Sequence, residues 1–267
     1  MTSTKSPKPE IIFFGNGPLA KHSLAVLQSH FHILFHARTR DDLQTAQKIK
    51  LQHPHAYAIL ASFGIIIPAD YLKVYEPTGI TNLHPSLLPK YRGPTAIETA
   101  ILDGETDFGY SIIKLTPRCD AGPIYHQELI KDIPLNKALI YQTLATAGAK
   151  WLVQNLTNLP TPTPQDDQQA TYTQKFDKSL SPLDPIKHSA ATLLRQVIAF
   201  QGFPKSKYHF FNQECIILKA HISSTPTPLS ILCQDGQYLA IDELQPANRS
   251  PMSEKSFLNG YAPRKSS

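Results

Sequence analysis

Thr81-Asn82-Leu83-His84-Pro85 places an amide and an imidazole two residues apart. At the end of an extended strand that spacing turns both side chains to one side and Leu83 to the other. An amide donor beside an imidazole donor is what a developing oxyanion needs. The plain alternative is a strand-end Asn and His that cap the turn Pro85 enforces. The stretch that follows, Ser86-Leu87-Leu88-Pro89-Lys90-Tyr91-Arg92-Gly93-Pro94, is stiffened by its prolines and glycine. Lys90 and Arg92 give it positive charge, and it leads into a helix start, where anions are favoured. Its plain alternative is a surface connection with two solvated charges. Pro117-Arg118-Cys119-Asp120-Ala121-Gly122-Pro123 is a further turn, in which Asp120 either bonds its own backbone or approaches His84 and holds its tautomer. Cys119 reads as a small buried apolar residue.

Gly15-Asn16-Gly17-Pro18-Leu19-Ala20 follows an apolar run and opens a helical pattern, matching G-x-G-x-x-[GA]. The N–H groups of such a turn cradle phosphates, and Arg38 and Arg40 stand where a 2′-phosphate of NADP would be met. Pro18 removes one donor, which favours a tight strand-to-helix turn instead.

These residues need elements to hold them. Strands are predicted at Glu10–Phe14, Phe31–Phe35, Ala56–Ser62, Gly79–Leu83 and Gly109–Leu115. Helices are predicted at Leu19–Gln28, Asp42–Lys50 (capped by Asp41 or Asp42), Pro94–Leu102 and Leu135–Leu159. The alternation, with mostly apolar short strands, predicts βαβ units and a largely parallel, doubly wound sheet. Asn82 and His84 then sit at its carboxyl end, where such folds place ligands. Pro160–Ala170 is proline-rich and polar and reads as a linker. Beyond it, a helix at Lys187–Phe200 precedes strand-like stretches at Tyr208–Phe211, Cys215–His221, Leu229–Cys233 and Gln237–Ile241. With a turn at Asp235-Gly236, these predict a small β barrel.

The 267 residues carry 26 Lys+Arg against 21 Asp+Glu, a net charge of +5. That balance favours an anionic partner without naming one. Between residues 175 and 219, six lysines and Arg195 oppose only Asp177, Asp184 and Glu214, either a solvated surface or a strip facing nucleic acid. Cys119, Cys215 and Cys233 are far apart, with no C-x-x-C, which excludes a disulfide scaffold and a thiolate zinc site and fits a reducing compartment. The start MTSTKSPKPE is unlike a signal peptide, and no apolar run approaches the ~20 residues of a membrane helix. The expectation is a soluble cytoplasmic protein.

Asn82-Leu83-His84-Pro85-Ser86-Leu87-Leu88-Pro89-Lys90-Tyr91-Arg92-Gly93, Ala100-Ile101-Leu102-Asp103-Gly104-Glu105 and Asp120-Ala121-Gly122 together resemble the folate-dependent formyltransferases. The His-x-Ser-Leu-Leu-Pro-x-x-x-Gly loop is highly specific to that family. Ala61-Ser62-Phe63-Gly64-Ile65-Ile66-Ile67-Pro68 looks like its pterin-binding stretch, and Arg118-Cys119-Asp120 like the opposite wall. Ala170-Thr171-Tyr172-Thr173-Gln174-Lys175, the helix Ser189–Phe200, Leu244-Gln245-Pro246, Met252-Ser253 and Phe257-Leu258-Asn259-Gly260 resemble its methionyl-tRNA branch. The resemblance runs from Glu10 to Tyr261.

It implies a Rossmann-like α/β formyltransferase domain with a parallel-rich sheet (10–159), after a loose tail (1–9). A linker (160–186) and an abbreviated OB-like β-barrel domain that helps hold tRNA (187–267) follow. Asn82, His84 and Asp120 are the implied catalytic residues. Phe63, Gly64, Ile65, Ile66, Ile67, Arg118, Cys119 and Asp120 would bind 10-formyltetrahydrofolate, and Ser86 through Gly93 with Arg38 and Arg40 the initiator methionyl-tRNA. The implied enzyme is monomeric and uses no metal. The family carries a long basic loop after the second strand, whereas here Phe35-His36-Ala37-Arg38-Thr39-Arg40 runs almost directly into the helix at Asp42, leaving Arg38 and Arg40 as its remnant. The barrel is also short between Pro226 and Leu239. These departures favour a formyltransferase for a small amine such as an amino-sugar nucleotide; an NADP-binding reductase using Gly15–Ala20 with Arg38 and Arg40, and a degenerate tRNA-binding protein, are the other readings.

Overall fold

The computed structural model describes residues 7–262. The tail expected at 1–9 therefore lies outside the described residues as far as residue 6. Two compact units emerge. One combines the chain up to Ile97 with Thr106–Gln174, and the other Glu98–Glu105 with the chain from Lys175 onward.

The first unit is a six-stranded sheet with helices. In chain order it has β1 (Glu10–Phe14), α1 (Gly17–Leu27), β2 (His32–Ala37), α2 (Asp42–Gln52), β3 (Tyr57–Ala61), α3 (Ala69–Lys73) and β4 (Ile80–His84). A helix α4 (Ala96–Asp103) crosses the division between the units, and β5 (Phe108–Lys114), β6 (Ile124–Ile130) and α5 (Lys137–Asn155) complete the first. The sheet order is β2-β1-β3-β4-β5-β6. Burial explains why β1 reads as an unbroken apolar run. Ile11 and Phe13 face Leu19 and Leu27 of α1 and Ala149 and Leu152 of α5. Ile12 and Phe14 face the opposite way, toward Leu43 and Ala46 of α2 and Phe63 and Tyr75. A strand covered on both faces has no place for polar alternation.

Strands β1 to β4 pair in parallel, as the alternation predicts, but β5 is antiparallel to β4 and β6 to β5. A parallel β5 would need α4 to run the chain back along the sheet. Residues 98–105 group instead with the second unit, and β5 starts at the end where β4 finishes, with Ser111 opposite His84. Strand β6, a half-exposed edge of sequence IYHQELI, carries too little apolar pattern to be predicted.

The proline-rich segment is not a free connector. Thr163 exchanges two backbone hydrogen bonds with Ile124 at the start of β6, both 2.8 Å. Thr171 and Thr173 bond the backbone of Pro89 and Arg92, and the first unit ends only at Gln174. Proline forbids a regular ladder but not single bridges made by the residues between prolines.

The second unit holds α6 (Ala190–Ala199), β7 (Ser206–Phe210), β8 (Gln213–Ser223), β9 (Ser230–Leu232), β10 (Tyr238–Pro246), β11 (Met252–Ser253) and α7 (Glu254–Tyr261). The Ser189 side chain accepts from Thr192 N, so α6 begins at Ala190 rather than Lys187. The antiparallel order is β11-β10-β8-β7, with β9 also on β10. Register shifts in β10 around Glu243 give the sheet its curl. Leu193 and Val197 of α6 and Phe257 of α7 close over Ile217, Leu239 and Leu244. Among the described residues no pairing joins β7 to β11, so this sheet is a curled antiparallel half-barrel. No helix among the described residues is long and apolar enough to cross a membrane.

Candidate active site

Strand β4 is buried along its whole length, and its last turn carries Asn82 and His84 on one face, 3% and 5% exposed. Leu83, between them, enters the core on the other face beside Tyr110 and Ile112. Asp120, 38 residues after Asn82, meets both: Asn82 Nδ2 donates to Oδ1 at 3.2 Å, and His84 Nδ1 lies 3.5 Å from Oδ2. Gly93 N also donates to Oδ2, at 2.9 Å. A carboxylate only accepts, so the Asn82 amide must turn its nitrogen this way. The other imidazole nitrogen, Nε2, lies 3.0 Å from the Tyr91 carbonyl. A carbonyl cannot donate, so Nε2 carries the proton. Tyr91 thus holds the Nε2 side of the His84 ring, a partner the sequence did not suggest. That leaves Nδ1 as the nitrogen facing the carboxylate.

The turn that brings Asp120 here is tightly specified. Asp120 has φ +46°, in the left-handed region that Asp tolerates better than most residues. A Cβ on Gly122 would fall 1.7 Å from the Lys114 carbonyl oxygen, so only glycine lets the turn pass this close to β5. Cys119 is exposed rather than buried. Its Sγ donates to Asp120 Oδ2 at 3.5 Å. Desolvation of the thiol and the adjacent carboxylate push it up to about 11, so it is a neutral donor at pH 7 and not a nucleophile.

Residues 86–93 were expected to meet substrate as one loop, but the structure divides them. Ser111 Oγ, fully buried on β5, donates to Ser86 O at 2.6 Å and accepts from Leu88 N at 3.0 Å and Gln127 Nε2 at 2.8 Å. Gln127 Nε2 also donates to Leu88 O, at 2.7 Å. Ser86 and Leu88 are thereby buried and stitched to the sheet. Arg92, expected as a solvated charge toward tRNA, is 0% exposed. Its guanidinium donates to Gln165 Oε1 at 3.0 and 2.7 Å and to the Tyr172 hydroxyl at 3.2 Å, and pairs with Asp167 at 2.9 Å. A planar fork with acceptors on both edges is stable inside a protein where a lone charge is not. Lys90 is exposed, and Leu87, Pro89, Tyr91 and Gly93 are half-buried.

The stretch after β3 also divides. Phe63 and Ile67 are buried in the core with Phe14 and Tyr75, the Phe14 and Phe63 rings 5.6 Å apart edge to face. Gly64 and Ile66 are exposed, Ile66 to 78%, while Ile65 is half-buried. Because β3 and β4 are neighbours, this loop and His84 share the carboxyl end of the sheet. Arg118 is exposed and bound to Asp167 at 2.7 Å. Gln165, Asp167, Thr171, Ser111 and Gln127 were missed as site residues. Only the polar Gln-Asp-Asp within the proline-rich stretch hinted at the first two.

The glycine turn shows itself as a turn. Gly15 N donates to Ala37 O, Asn16 N to Ser62 O and Gly17 N to Asn16 Oδ1, while Pro18 has none to give. A Cβ on Gly15 would lie 2.3 Å from the Ala61 carbonyl oxygen. Three of the N–H groups a phosphate cradle would use, those of Gly15, Asn16 and Gly17, are thus committed. Arg38 is exposed and its Nε donates to His36 Nδ1 at 3.2 Å, beside a cavity of about 320 Å³ along α1. Arg40 is also exposed. Neither arginine is among the residues that meet Asp120. Among the described residues no group of three His, Cys, Asp or Glu is placed to hold a metal.

Residues 17–156 match the family model of the formyl transferases. A curated methionyl-tRNA formyltransferase of Chloroflexus aurantiacus is 32% identical over 257 residues, covering 90% of this chain and 79% of that one. Among solved structures, HypX of Aquifex aeolicus in complex with tetrahydrofolic acid superposes with a TM-score of 0.75 at 17% identity, over 96% of this chain and 48% of that chain. WlaRD, a sugar 3N-formyl transferase, does so with a TM-score of 0.65 at 18% identity, over 92% and 100%. At such identities the structures speak for the fold alone. The family model covers β2 to β6 with Asn82, His84 and Asp120, and the curated relative extends the match over most of the chain: the protein belongs to the formyl transferase family.

Proposed function

We propose that this enzyme passes the formyl group of 10-formyltetrahydrofolate to the α-amine of initiator methionyl-tRNA. The observation that carries the reading is the convergence of Asn82 Nδ2 and His84 Nδ1 on Asp120 at the carboxyl end of β4. The curated relative's name supplies the acceptor. The neutral amine attacks the formyl carbon, forming a C–N bond while charge develops on the formyl oxygen. Asn82 has a second amide hydrogen beyond the one given to Asp120, and His84 Nδ1–H, when protonated, is a second donor. Each such contact is worth about 2.7–4 kcal/mol in comparable sites. Asp120 takes the proton released by the attacking amine and returns it to N10 as the C–N10 bond breaks. Nucleophile, oxyanion donors and proton carrier are then all accounted for without a metal. The exposed Ile66 and half-buried Ile65 offer the donor an apolar wall beside His84, and Arg118, Cys119 and Asp120 the other.

The second unit is read as an OB-like module that helps hold tRNA, and the enzyme as a cytoplasmic monomer. A specific feature favours an amino-sugar nucleotide as the second reading. Only residues 38–41 separate β2 from α2, leaving no long loop to enter an acceptor stem. One experiment decides between them. Purified protein is incubated with the formyl donor and, separately, with initiator methionyl-tRNA, elongator methionyl-tRNA and an amino-sugar nucleotide. Formylation of the initiator tRNA is expected, lost by about 100-fold or more in each of Asn82→Ala, His84→Ala and Asp120→Ala while the far-ultraviolet circular dichroism is unchanged. Turnover of the sugar with neither tRNA would establish the second reading. Near-wild-type turnover in all three variants would sink the catalytic assignment.

A further inference from the structure

Gln165 lies in the proline-rich segment and uses all four of its hydrogen-bonding positions. Its Nε2 donates to the carbonyls of Asp120 at 2.8 Å and Gly122 at 2.7 Å. Its Oε1 accepts from Nε and Nη2 of the buried Arg92 at 3.0 and 2.7 Å. The partners leave no ambiguity about the amide's orientation, since carbonyls only accept and a guanidinium only donates. One side chain thus grips, through the main chain, the turn that bears Asp120, and it is held in turn by a cation that cannot move into solvent.

The residue so gripped has reason to be. Asp120 is in the left-handed region, Gly122 passes against the β5 backbone, and the carboxylate must meet Asn82, His84 and Gly93 at once. The segment holding Gln165 is fastened at both ends, by the Thr163–Ile124 bridge and by Thr171 and Thr173 against Pro89 and Arg92. Asp167, two residues on, ties Arg92 to Arg118.

We infer that Gln165 is a positioning residue for formyl transfer, aiming the Asp120 carboxylate at Asn82 and His84. The inference rests on the catalytic role given above to Asp120. It assigns the proline-rich segment a part in the chemistry of the first unit. Glutamine is required because the same amide must donate to two carbonyls and accept from Arg92, which neither glutamate nor any hydroxyl residue can do.

Gln165→Glu in the full chain tests it. The carboxylate keeps the Arg92 contact but turns an acceptor toward the Asp120 and Gly122 carbonyls, so the turn shifts. A shift on the order of 1 Å at a reacting group costs roughly 10–100-fold in rate. The expected result is a fall in kcat of that size, with KM for donor and acceptor each within about threefold of wild type. A segment that is only structural would instead lower Tm and leave kcat per folded molecule intact. In an Asp120→Asn background, Gln165→Glu should cost less than about twofold more, because it acts through the residue already removed. Wild-type kcat in Gln165→Glu, or losses that multiply in the double variant, would overturn the inference. Retained turnover in Asp120→Asn would instead sink the role of Asp120 itself, so the two failures are distinguishable. If Gln165→Glu does not fold, Gln165→Asn, which keeps the amide but is one methylene too short to reach both sides, is read by the same kinetics.

Discussion

Replacing Arg92 by lysine keeps its charge and about its length, so the outcome separates an internal strut from a surface contact. In the structure the guanidinium makes two hydrogen bonds to Gln165 Oε1, one to the Tyr172 hydroxyl and an ion pair to Asp167, with no exposed surface. An ammonium is a point donor and cannot span both edges of that arrangement, so at best half of the contacts survive. Two lost hydrogen bonds to a charged group amount to about 3–6 kcal/mol on paper. Tyr172 is 64% exposed and can turn to water, which brings the expectation to about 2–3 kcal/mol. For a unit of this size that corresponds to a fall in Tm of about 4–12 °C. Differential scanning calorimetry at fixed pH and salt measures it, alongside tRNA binding at two salt concentrations. If Arg92 were the solvated charge that its sequence suggests, lysine would leave Tm within about 1 °C and at most weaken tRNA binding in a salt-dependent way. A Tm unchanged within that margin would refute the buried-fork reasoning.

Two further outcomes follow from the same geometry. Ser111→Ala removes the hydroxyl that joins Ser86, Leu88 and Gln127, leaving Leu88 N without its partner in a buried place; urea unfolding should show a loss of about 1–3 kcal/mol, and a loss below about 0.5 would count against the stitch. Cys119, pushed up from 9.0 to about 11, carries about a hundredfold less thiolate at pH 8 than an ordinary cysteine; its alkylation rate should therefore stay low and climb only toward pH 11, and a rate that levels off near pH 9 would show the thiol to be unperturbed.

Much of the frame could be read from single residues and their spacing. The apolar run of β1 announced burial on two faces, and Asn82-Leu83-His84 announced a polar face and a core face on one strand end. What escaped depends on partners far along the chain. Arg92 reads as a solvent charge because nothing near it is acidic; its partners are Gln165, Asp167 and Tyr172, 73 to 80 residues later. Those partners sit among prolines, where the absence of periodicity was read as absence of structure. Strand β6 escaped because an edge exposes polar residues, and the reversal at β5 because alternation of strands and helices says nothing of direction. The glycine turn was legible in the opposite sense: Pro18 had already weakened the phosphate reading, and the committed N–H groups of Gly15, Asn16 and Gly17 weaken it further.

The modest net charge raises the matter of what is left to attract an anionic substrate. Of the cations that sequence placed toward nucleic acid, Arg92 is internal, and Lys187, Lys207 and Lys219 are held by Asp184, Glu214 and Glu243. Pairing does not remove net charge, but it turns each of these groups into a local dipole whose field falls off faster than that of a bare charge. Lys90, Arg40, Lys178 and Lys205 carry no ion pair among the described residues, the first two in the first unit and the others in the second. On the function proposed above, the acceptor would be told apart at short range, where Asn82, His84 and Asp120 meet it, and that gives a reason for fixing the Asp120 turn from three sides, through Gly93, Gln165 and the β5 backbone.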